Sequence, residues 1–244
     1  MPPSAILFDF YGTLASGQNL GNVRELELFA QFGYRVDAEQ LRRSRAAVQA
    51  RLDGPEPIDH REFSVSRERY NEFQRRHYAV GLRECGVDPD HPGLFERLCE
   101  LWDDPSPIYL FDDALPVLAE LRGAGYRLGL VSNWSWGLET ILQRTGLAPL
   151  LECAVVSARA GYRKPHPAIY RLALDALGLE ADEVLFVGDN PHADVDGPLA
   201  VGMAPVQIDR VGEALRRPGI PCISELAGLF KLLPEGRAAS RHFP

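Results

Sequence analysis

The sequence is poor in the features that mark several classes of protein. None of its apolar runs approaches the roughly 18–20 residues that a membrane-spanning helix needs. Its cysteines form no CxxC pair and have no zinc-ligand spacing; they are Cys85, Cys99, Cys153 and Cys222. The first residues carry no basic region followed by an apolar stretch. We therefore expect free thiols, no membrane partner and a cytoplasmic location.

The chain is also short of positive charge. It has 26 basic residues against 34 acidic ones, a formal net charge of −8, and no long basic block. This balance argues against a nucleic-acid partner. Among the basic residues only Lys164 and Lys231 are lysines. In an arginine-rich chain, a lysine marks a position suited to a compact point charge, and we interpret Lys231 as a solvated surface residue.

Two kinds of hydrophobic pattern divide the 244 residues. From residue 111 onward, helical patterns alternate with short buried runs at 126–132, 153–157, 184–187 and 205–208, and a final helix capped by Ser224 is expected to end near Leu233. Residues 15–107 instead have helical spacing at 20–32, 38–52, 62–85 and 92–102, with almost no strand-like run. These patterns predict an α/β protein. Its Rossmann-like, doubly wound parallel sheet is formed by residues 1–14 and 108–244, and an all-helical cap of residues 15–107 is inserted after the first strand.

Four segments with chemically useful residues end predicted strands or follow them closely. They are residues 9–13, 131–133, 163–165 and 188–194. Because the carboxyl ends of parallel strands meet at one edge of a sheet, we expect these segments to line one crevice.

The residue types in this crevice suit phosphoryl transfer. The Asp9 carboxylate is a candidate nucleophile that forms an aspartyl-phosphate. Asp189 is a candidate to hold Mg²⁺ together with Asp9, since this hard ion prefers oxygen ligands. The metal and Lys164 then neutralise the charge on the transferred group.

The remaining candidates concern the phosphate itself. Ser132 and Asn133 lie where a strand passes into a helix, a place where hydroxyl and N–H groups hold phosphate oxygens. Gly12 permits a tight turn, and Thr13 is positioned to hydrogen-bond the loop or the phosphate. Taken singly, each candidate also has an ordinary structural interpretation as a turn, cap or solvated loop residue.

In this order, the four segments resemble those of the haloacid dehalogenase-like hydrolase superfamily, and the inserted helical block resembles that family's type C1 cap. The resemblance implies that Asp9 is the nucleophile, that Ser132 binds the phosphate, and that Lys164 orients and neutralises it. It also implies a metal site formed by Asp9, the backbone carbonyl of Tyr11, Asp189 and Asp194, the last of which supports either the metal or Lys164.

One residue departs from the pattern of the family's phosphatases. Most of them have a second aspartate, a general acid and base, two residues after the nucleophile, where this chain has Tyr11. A phenol is a poor base at neutral pH because it ionises only at about pH 10. Tyrosine at this position resembles the family's 2-haloacid dehalogenases, which need no metal and typically lack an aspartate at the position of Asp189.

Since Asp189 beside Asp9 is repulsive without a cation, the sequence favours a Mg²⁺-dependent phosphatase acting on a small-molecule phosphate monoester. The first alternative is a metal-independent 2-haloacid dehalogenase with Asp9 as its nucleophile. The second alternative is a weakly active or non-catalytic relative used for binding or regulation. The substrate and the oligomeric state are left open.

Overall fold

A six-stranded parallel sheet forms the centre of the protein. The computed structural model describes residues 2–17, 20–52, 54, 58–104, 108–212 and 215–234, without the side chains of residues 20–22. The strands are β1 (Ala5–Phe8), β2 (Ala15–Gly17), β3 (Ile108–Leu110), β4 (Arg127–Ser132), β5 (Cys153–Val156), β6 (Val184–Gly188), β7 (Ala204–Ile208) and β8 (Cys222–Ile223). The large sheet has the order β5-β4-β1-β6-β7-β8, so β1 lies where the chain order reverses.

Strand β1 is buried on both faces, which explains its continuous apolar sequence. Side chains alternate between the faces of a strand, so Ile6 and Phe8 enter one hydrophobic cluster while Ala5 and Leu7 enter another. The predicted Rossmann-like sheet is thus confirmed.

Helices cover both faces of the sheet and form a separate block after β2. They are α1 (Leu20–Gln31), α2 (Ala38–Leu52), α3 (Arg67–Glu84), α4 (Leu94–Asp103), α5 (Ala114–Gly123), α6 (Leu138–Arg144), α7 (Ser157–Ala160), α8 (Pro167–Leu177) and α9 (Gly197–Ala200). Helices α1 to α4 share a third hydrophobic cluster that is built around Phe29, Leu94 and Leu98. No helix among the described residues has both the length and the apolar character needed to cross a bilayer.

Several local predictions differ from the structure. The short strands β2 and β3, which pair antiparallel beside the helical block, were not expected, because three-residue strands leave little periodicity. The predicted helix 62–85 is divided into a 3₁₀ turn, Arg61–Phe63, and α3, which begins after an N-cap at Ser66. The final predicted helix is instead a 3₁₀ segment, Leu226–Lys231, whose N-cap is Glu225 rather than Ser224.

Candidate active site

The strand register brings the predicted segments to one edge of the sheet. Phe8 pairs with Leu130 of β4 on one side and with Val187 of β6 on the other. The Asp9 amide, directly after the end of β1, donates to the Val187 carbonyl at 2.9 Å, which holds Asp9 beside β6. Asp9 and the residues that end β4 and β6 therefore emerge side by side.

Lys164 joins two of the predicted carboxylates. Its Nζ donates to Oδ1 of Asp9 and to Oδ1 of Asp194, each at 2.6 Å. The lysine side chain is 1% exposed, and those of Asp9 and Asp194 are 10% and 1% exposed. Burial lowers the pKa of Lys164, but the charges of Asp194 and Asp9 outweigh it and raise that pKa overall. The lysine is therefore positively charged at neutral pH.

A third carboxylate leaves this cluster with excess negative charge. One carboxylate oxygen each from Asp9, Asp189 and Asp194 lies within 4.8 Å of the others. Burial, followed by the charges of Asp9 and Asp194, raises the pKa of Asp189 to about 7. Burial likewise raises the pKa of Asp194 to about 6, in spite of its contact with Lys164. A divalent cation that takes oxygen ligands fits such a group of carboxylates.

Two glycines make room for these carboxylates. Gly12 has φ +85°, and a Cβ placed on it would overlap the Asp189 carboxylate. A Cβ on Gly188 would overlap the side chain of Asp194. The close approach of the loops after β1 and β6 thus depends on Gly12, and the return of Asp194 toward the end of β6 depends on Gly188.

Asp194 is held by the irregular helical turn in which it lies. Residues Pro191–Asp196 form a π-type turn, and Asn190 caps it by accepting from the amides of His192 and Ala193 at 2.9 and 3.0 Å. Oδ2 of Asp194 accepts from the Asn190 amide at 3.0 Å, which leaves Oδ1 for Lys164. The carboxylate is thus fixed from both sides.

Asn133 clasps the backbone of Lys164. Its Nδ2 donates to the Lys164 carbonyl at 2.9 Å, and its Oδ1 accepts from the Lys164 amide at 2.7 Å. The Asn133 amide is thus bonded to Lys164 through both of its polar atoms, and its phosphate contact stays a prediction. Ser132, the last residue of β4, is buried at the same edge of the sheet.

The side chains of Tyr11 and Thr13 lie in different environments. The Tyr11 side chain is 45% exposed, and its ring lies 5.8 Å from that of Trp134. Thr13 is fully buried, and its hydroxyl has no hydrogen-bond partner among the described residues, while its carbonyl accepts from Arg210 at 2.7 Å. The predicted substrate contact of the Thr13 hydroxyl stays a prediction.

A cavity of about 530 Å³ opens between helices α1 to α4 and the sheet edge. Tyr11, Asn133, Trp134 and Arg163 line it on the side of the site. Tyr11 follows Asp9 by two residues, Arg163 directly precedes Lys164, and Asn133 is bonded to the Lys164 main chain. We call this cavity the chamber. Sequence reasoning did not single out Arg163 or the clasp by Asn133, because both depend on how loops distant in sequence dock. In the sequence, the indication of a role for Arg163 is its position directly before Lys164.

Comparisons with known proteins agree with this geometry. The family model of the haloacid dehalogenase-like hydrolases matches residues 3–202. The chain is 33% identical over 183 residues to the glyceraldehyde 3-phosphate phosphatase of Methanopyrus kandleri, covering 71% of this chain and 77% of that one. It is 30% identical over 146 residues to (S)-2-haloacid dehalogenase 4A of Burkholderia cepacia, covering 59% and 62%.

A solved structure supports the same assignment. The HAD phosphatase from Thermococcus onnurineus matches with a TM-score of 0.66 and 25% identity, covering 94% of this chain and 97% of that one. The part of this chain that aligns with each of the first three curated relatives covers between 55% and 77% of that relative's length. The chain belongs to the haloacid dehalogenase-like hydrolases, as its motifs predicted.

Proposed function

We propose that the protein is a Mg²⁺-dependent phosphatase that hydrolyses phosphate monoesters of small molecules through an aspartyl-phosphate on Asp9. The observation that carries the proposal is the cluster of three carboxylates within 4.8 Å, of which Lys164 contacts only Asp9 and Asp194. A lysine offsets one of three negative charges, so a divalent cation is needed before an anionic phosphate can approach.

We assign the metal ligands from this fit. Asp9, Asp189 and Asp194 are the residues that would hold Mg²⁺, and Gly12 gives Asp189 the space it needs. The Tyr11 carbonyl joins them as the ligand that the family resemblance implies. When bound, the ion supplies positive charge to the oxygens of the transferred phosphoryl group. The raised pKa of Asp189 supports the assignment, because a bound cation removes the repulsion that Asp9 and Asp194 cause.

The nucleophile and the lysine act together in the first step. An Asp9 carboxylate oxygen forms a bond to phosphorus while the bond from phosphorus to the ester oxygen breaks, and the leaving alkoxide takes a proton from the Tyr11 phenol or from water. Lys164 orients Asp9 at 2.6 Å and neutralises charge on the phosphoryl oxygens. Asn133 acts as a positioning residue because it fixes the main chain that carries Lys164. Ser132 binds a phosphoryl oxygen.

Water completes the reaction in the second step. Its oxygen bonds to phosphorus, the bond to Asp9 breaks, and inorganic phosphate leaves with the carboxylate regenerated. No carboxyl group stands two residues after Asp9, so proton transfer at that position falls to the Tyr11 phenol or to water. We expect a slow basal rate for this reason.

We propose that residues 1–14 and 108–244 form a catalytic core and that residues 15–107 form a cap whose movement opens the site. The separate hydrophobic cluster of α1 to α4 supports this division. Asp103, at the end of α4, accepts from the Ser135 hydroxyl at 2.6 Å, a contact that a moving cap has to break.

The unpaired cysteines support our expectation of a reducing, cytoplasmic compartment.

The second candidate function is the 2-haloacid dehalogenase, which Tyr11 favours. A paired assay separates the two: we expect phosphate release from p-nitrophenyl phosphate that EDTA abolishes and Mg²⁺ restores, with no chloride release from 2-chloropropionate. Chloride release that EDTA leaves unchanged overturns the proposal.

A Tyr11→Asp variant tests the missing acid and base. We expect it to raise kcat for phosphate release by about 10- to 100-fold, because a carboxyl group can protonate the leaving alcohol and then activate water. Tyr109→Asp, a change at a similarly exposed tyrosine outside the site, is the matched control. If wild-type activity is negligible and Tyr11→Asp creates it, the non-catalytic alternative is favoured.

A further inference from the structure

The chamber contains an arginine whose charge no described carboxylate offsets. Among the described residues the guanidinium of Arg163 takes part in no ion pair, although it lines a cavity that contains two carboxylates. Each of those carboxylates is bound to a different arginine. Asp104 pairs with Arg24 at 2.5 Å, and Glu25 pairs with Arg45 at 3.0 Å.

Glu25 is further committed by a second donor. The Trp102 Nε1 donates to its other carboxylate oxygen at 2.8 Å, so both oxygens of this buried residue are bound. The positive charge of Arg163 therefore stays uncompensated within the described part of the chamber.

The protein holds the main chain of Arg163 in place. Its amide donates to the Ile58 carbonyl at 3.4 Å, and its carbonyl accepts from the His166 amide at 2.7 Å. The guanidinium lies beside Tyr70 of α3, where burial raises the pKa of the phenol to about 12 and the arginine charge acts in the opposite direction. Arg163 thus brings a positive charge to the chamber from an anchored main chain.

Arg163 is half-buried, so its guanidinium has only part of its surface in water and has an open side toward the chamber. A guanidinium presents a planar fork of donors that matches a carboxylate or a phosphate in two parallel hydrogen bonds. The chamber, at about 530 Å³, also has room for a leaving group much larger than a three-carbon alcohol.

We propose that Arg163 is a specificity-determining residue that binds a second anionic group on the leaving portion of the substrate. The preferred substrates are phosphate monoesters with a bulky leaving group that carries a carboxylate or a second phosphate. Tyr70, Tyr78 and Trp102 line the chamber and provide aromatic surface for the body of this group. This inference rests on the proposed phosphatase function.

Matched synthetic esters provide the test. The pair is 4-(2-phosphooxyethyl)benzoate and its neutral benzamide analogue, which differ in one charge and little in size. We expect wild-type kcat/KM to be at least about tenfold higher for the benzoate. A third ester with a second phosphate in place of the carboxylate shows which anion Arg163 prefers.

The Arg163→Gln variant assigns the preference to this residue. We expect it to lower the benzoate-to-benzamide ratio of kcat/KM to about one, and Arg163→Lys to retain part of the ratio. Arg159→Gln, which removes an exposed arginine paired with Glu139, is the matched control and retains the wild-type ratio. Equal kcat/KM for both esters in the wild type, or a ratio that survives Arg163→Gln, overturns the inference.

Failure of the proposed function has a different signature. If phosphate is released from a small ester such as glycerol 1-phosphate but the benzoate has no advantage, only the inference about Arg163 is wrong. If no ester is hydrolysed with Mg²⁺, the phosphatase proposal is wrong. Arg163 is then judged by thermal unfolding: 4-(2-hydroxyethyl)benzoate raises the Tm of the wild type more than its benzamide analogue does, and Arg163→Gln removes the difference. Equal shifts overturn the inference.

Discussion

Lys164 is the only lysine among the described residues whose ammonium group contacts the carboxylates of the site, and replacing it with methionine removes that group. The side chain is 1% exposed and contacts Asp9 and Asp194 at 2.6 Å each. Methionine is similar in length but leaves both carboxylates buried without their partner. Breaking a buried ion pair in this way costs about 3–5 kcal/mol, so we expect Lys164→Met to lower the free energy of unfolding by that amount at pH 8 in EDTA.

The loss depends on pH, and its sign follows from the carboxyl groups. The pKa of Asp194 is already raised to about 6 with the lysine present, and removing the positive charge raises it further. A group with a raised folded-state pKa contributes stability below its unfolded pKa and loses that contribution as pH rises through the folded pKa. We therefore expect the defect of Lys164→Met to be largest at pH 8 and to shrink toward pH 5.

Urea unfolding followed by circular dichroism measures both effects. Lys231→Met is the matched control, since Lys231 is exposed at the surface of the protein. Adding Mg²⁺ is expected to recover part of the stability of Lys164→Met. Phosphate release is expected to fall by at least about 10²-fold, because the positive charge that neutralises the phosphoryl oxygens is lost. The reasoning is refuted if Lys164→Met at pH 8 is within about 1 kcal/mol of Lys231→Met.

Two further predictions concern Gly12 and His60. Gly12→Ala places a Cβ on the Asp189 carboxylate, so we expect half-maximal activity to need at least about tenfold more Mg²⁺; an Mg²⁺ titration measures this. His60 is buried, and desolvation lowers its pKa to about 4, so its contribution to stability is lost as pH falls from about 6.5 to 4. For His60→Phe, we expect the loss of unfolding free energy between pH 7.5 and 4.5 to be smaller than in the wild type by roughly 2–3 kcal/mol, measured by urea unfolding.

Each of these two changes has a control that separates the proposed cause from a general loss of stability. Gly33 has the same φ of +85° as Gly12 but nothing within 4 Å of an added Cβ, so Gly33→Ala carries the backbone strain alone. Phe73 stacks on His60 with ring centroids 4.4 Å apart, and Phe73→Leu disturbs the same packing without removing a titrating group. Equal Mg²⁺ requirements for the two alanine variants contradict the first prediction, and an unchanged pH dependence in His60→Phe contradicts the second.

The parts of the site that the sequence predicted are those that sheet geometry brings together. Asp9 and Asp189 follow β1 and β6, which are neighbours in the sheet, so a buried apolar run followed by an acid was sufficient to place them. The same reasoning placed Ser132 at the end of β4. Parallel strands bring their carboxyl ends to one edge whatever the loops do, and for that reason this part of the prediction was robust.

The parts that the sequence did not predict depend on how loops dock. The clasp of Asn133 on Lys164 joins residues 31 positions apart through side-chain geometry that no periodicity encodes. The pairing of β2 with β3 joins segments on either side of the helical block. The charge of Arg163 is distinctive because the other two arginines that line the chamber, Arg24 and Arg45, are each paired with a carboxylate. Charge compensation is a property of the folded chain, and composition does not show which charge is left over.

Asp189 bears more directly than Tyr11 on the choice between phosphatase and dehalogenase. Tyr11 changes how fast a proton moves, which affects the rate of either reaction. Asp189 changes whether an anionic substrate can enter at all, because its carboxylate lies within 4.8 Å of Asp9 and Asp194 without a lysine of its own. In a metal-free enzyme Asp189, whose pKa is raised to about 7, repels an anionic haloacid or phosphate whenever it is ionised, and Gly12 keeps space for its carboxylate. A site built around such a carboxylate favours metal-dependent phosphoryl transfer.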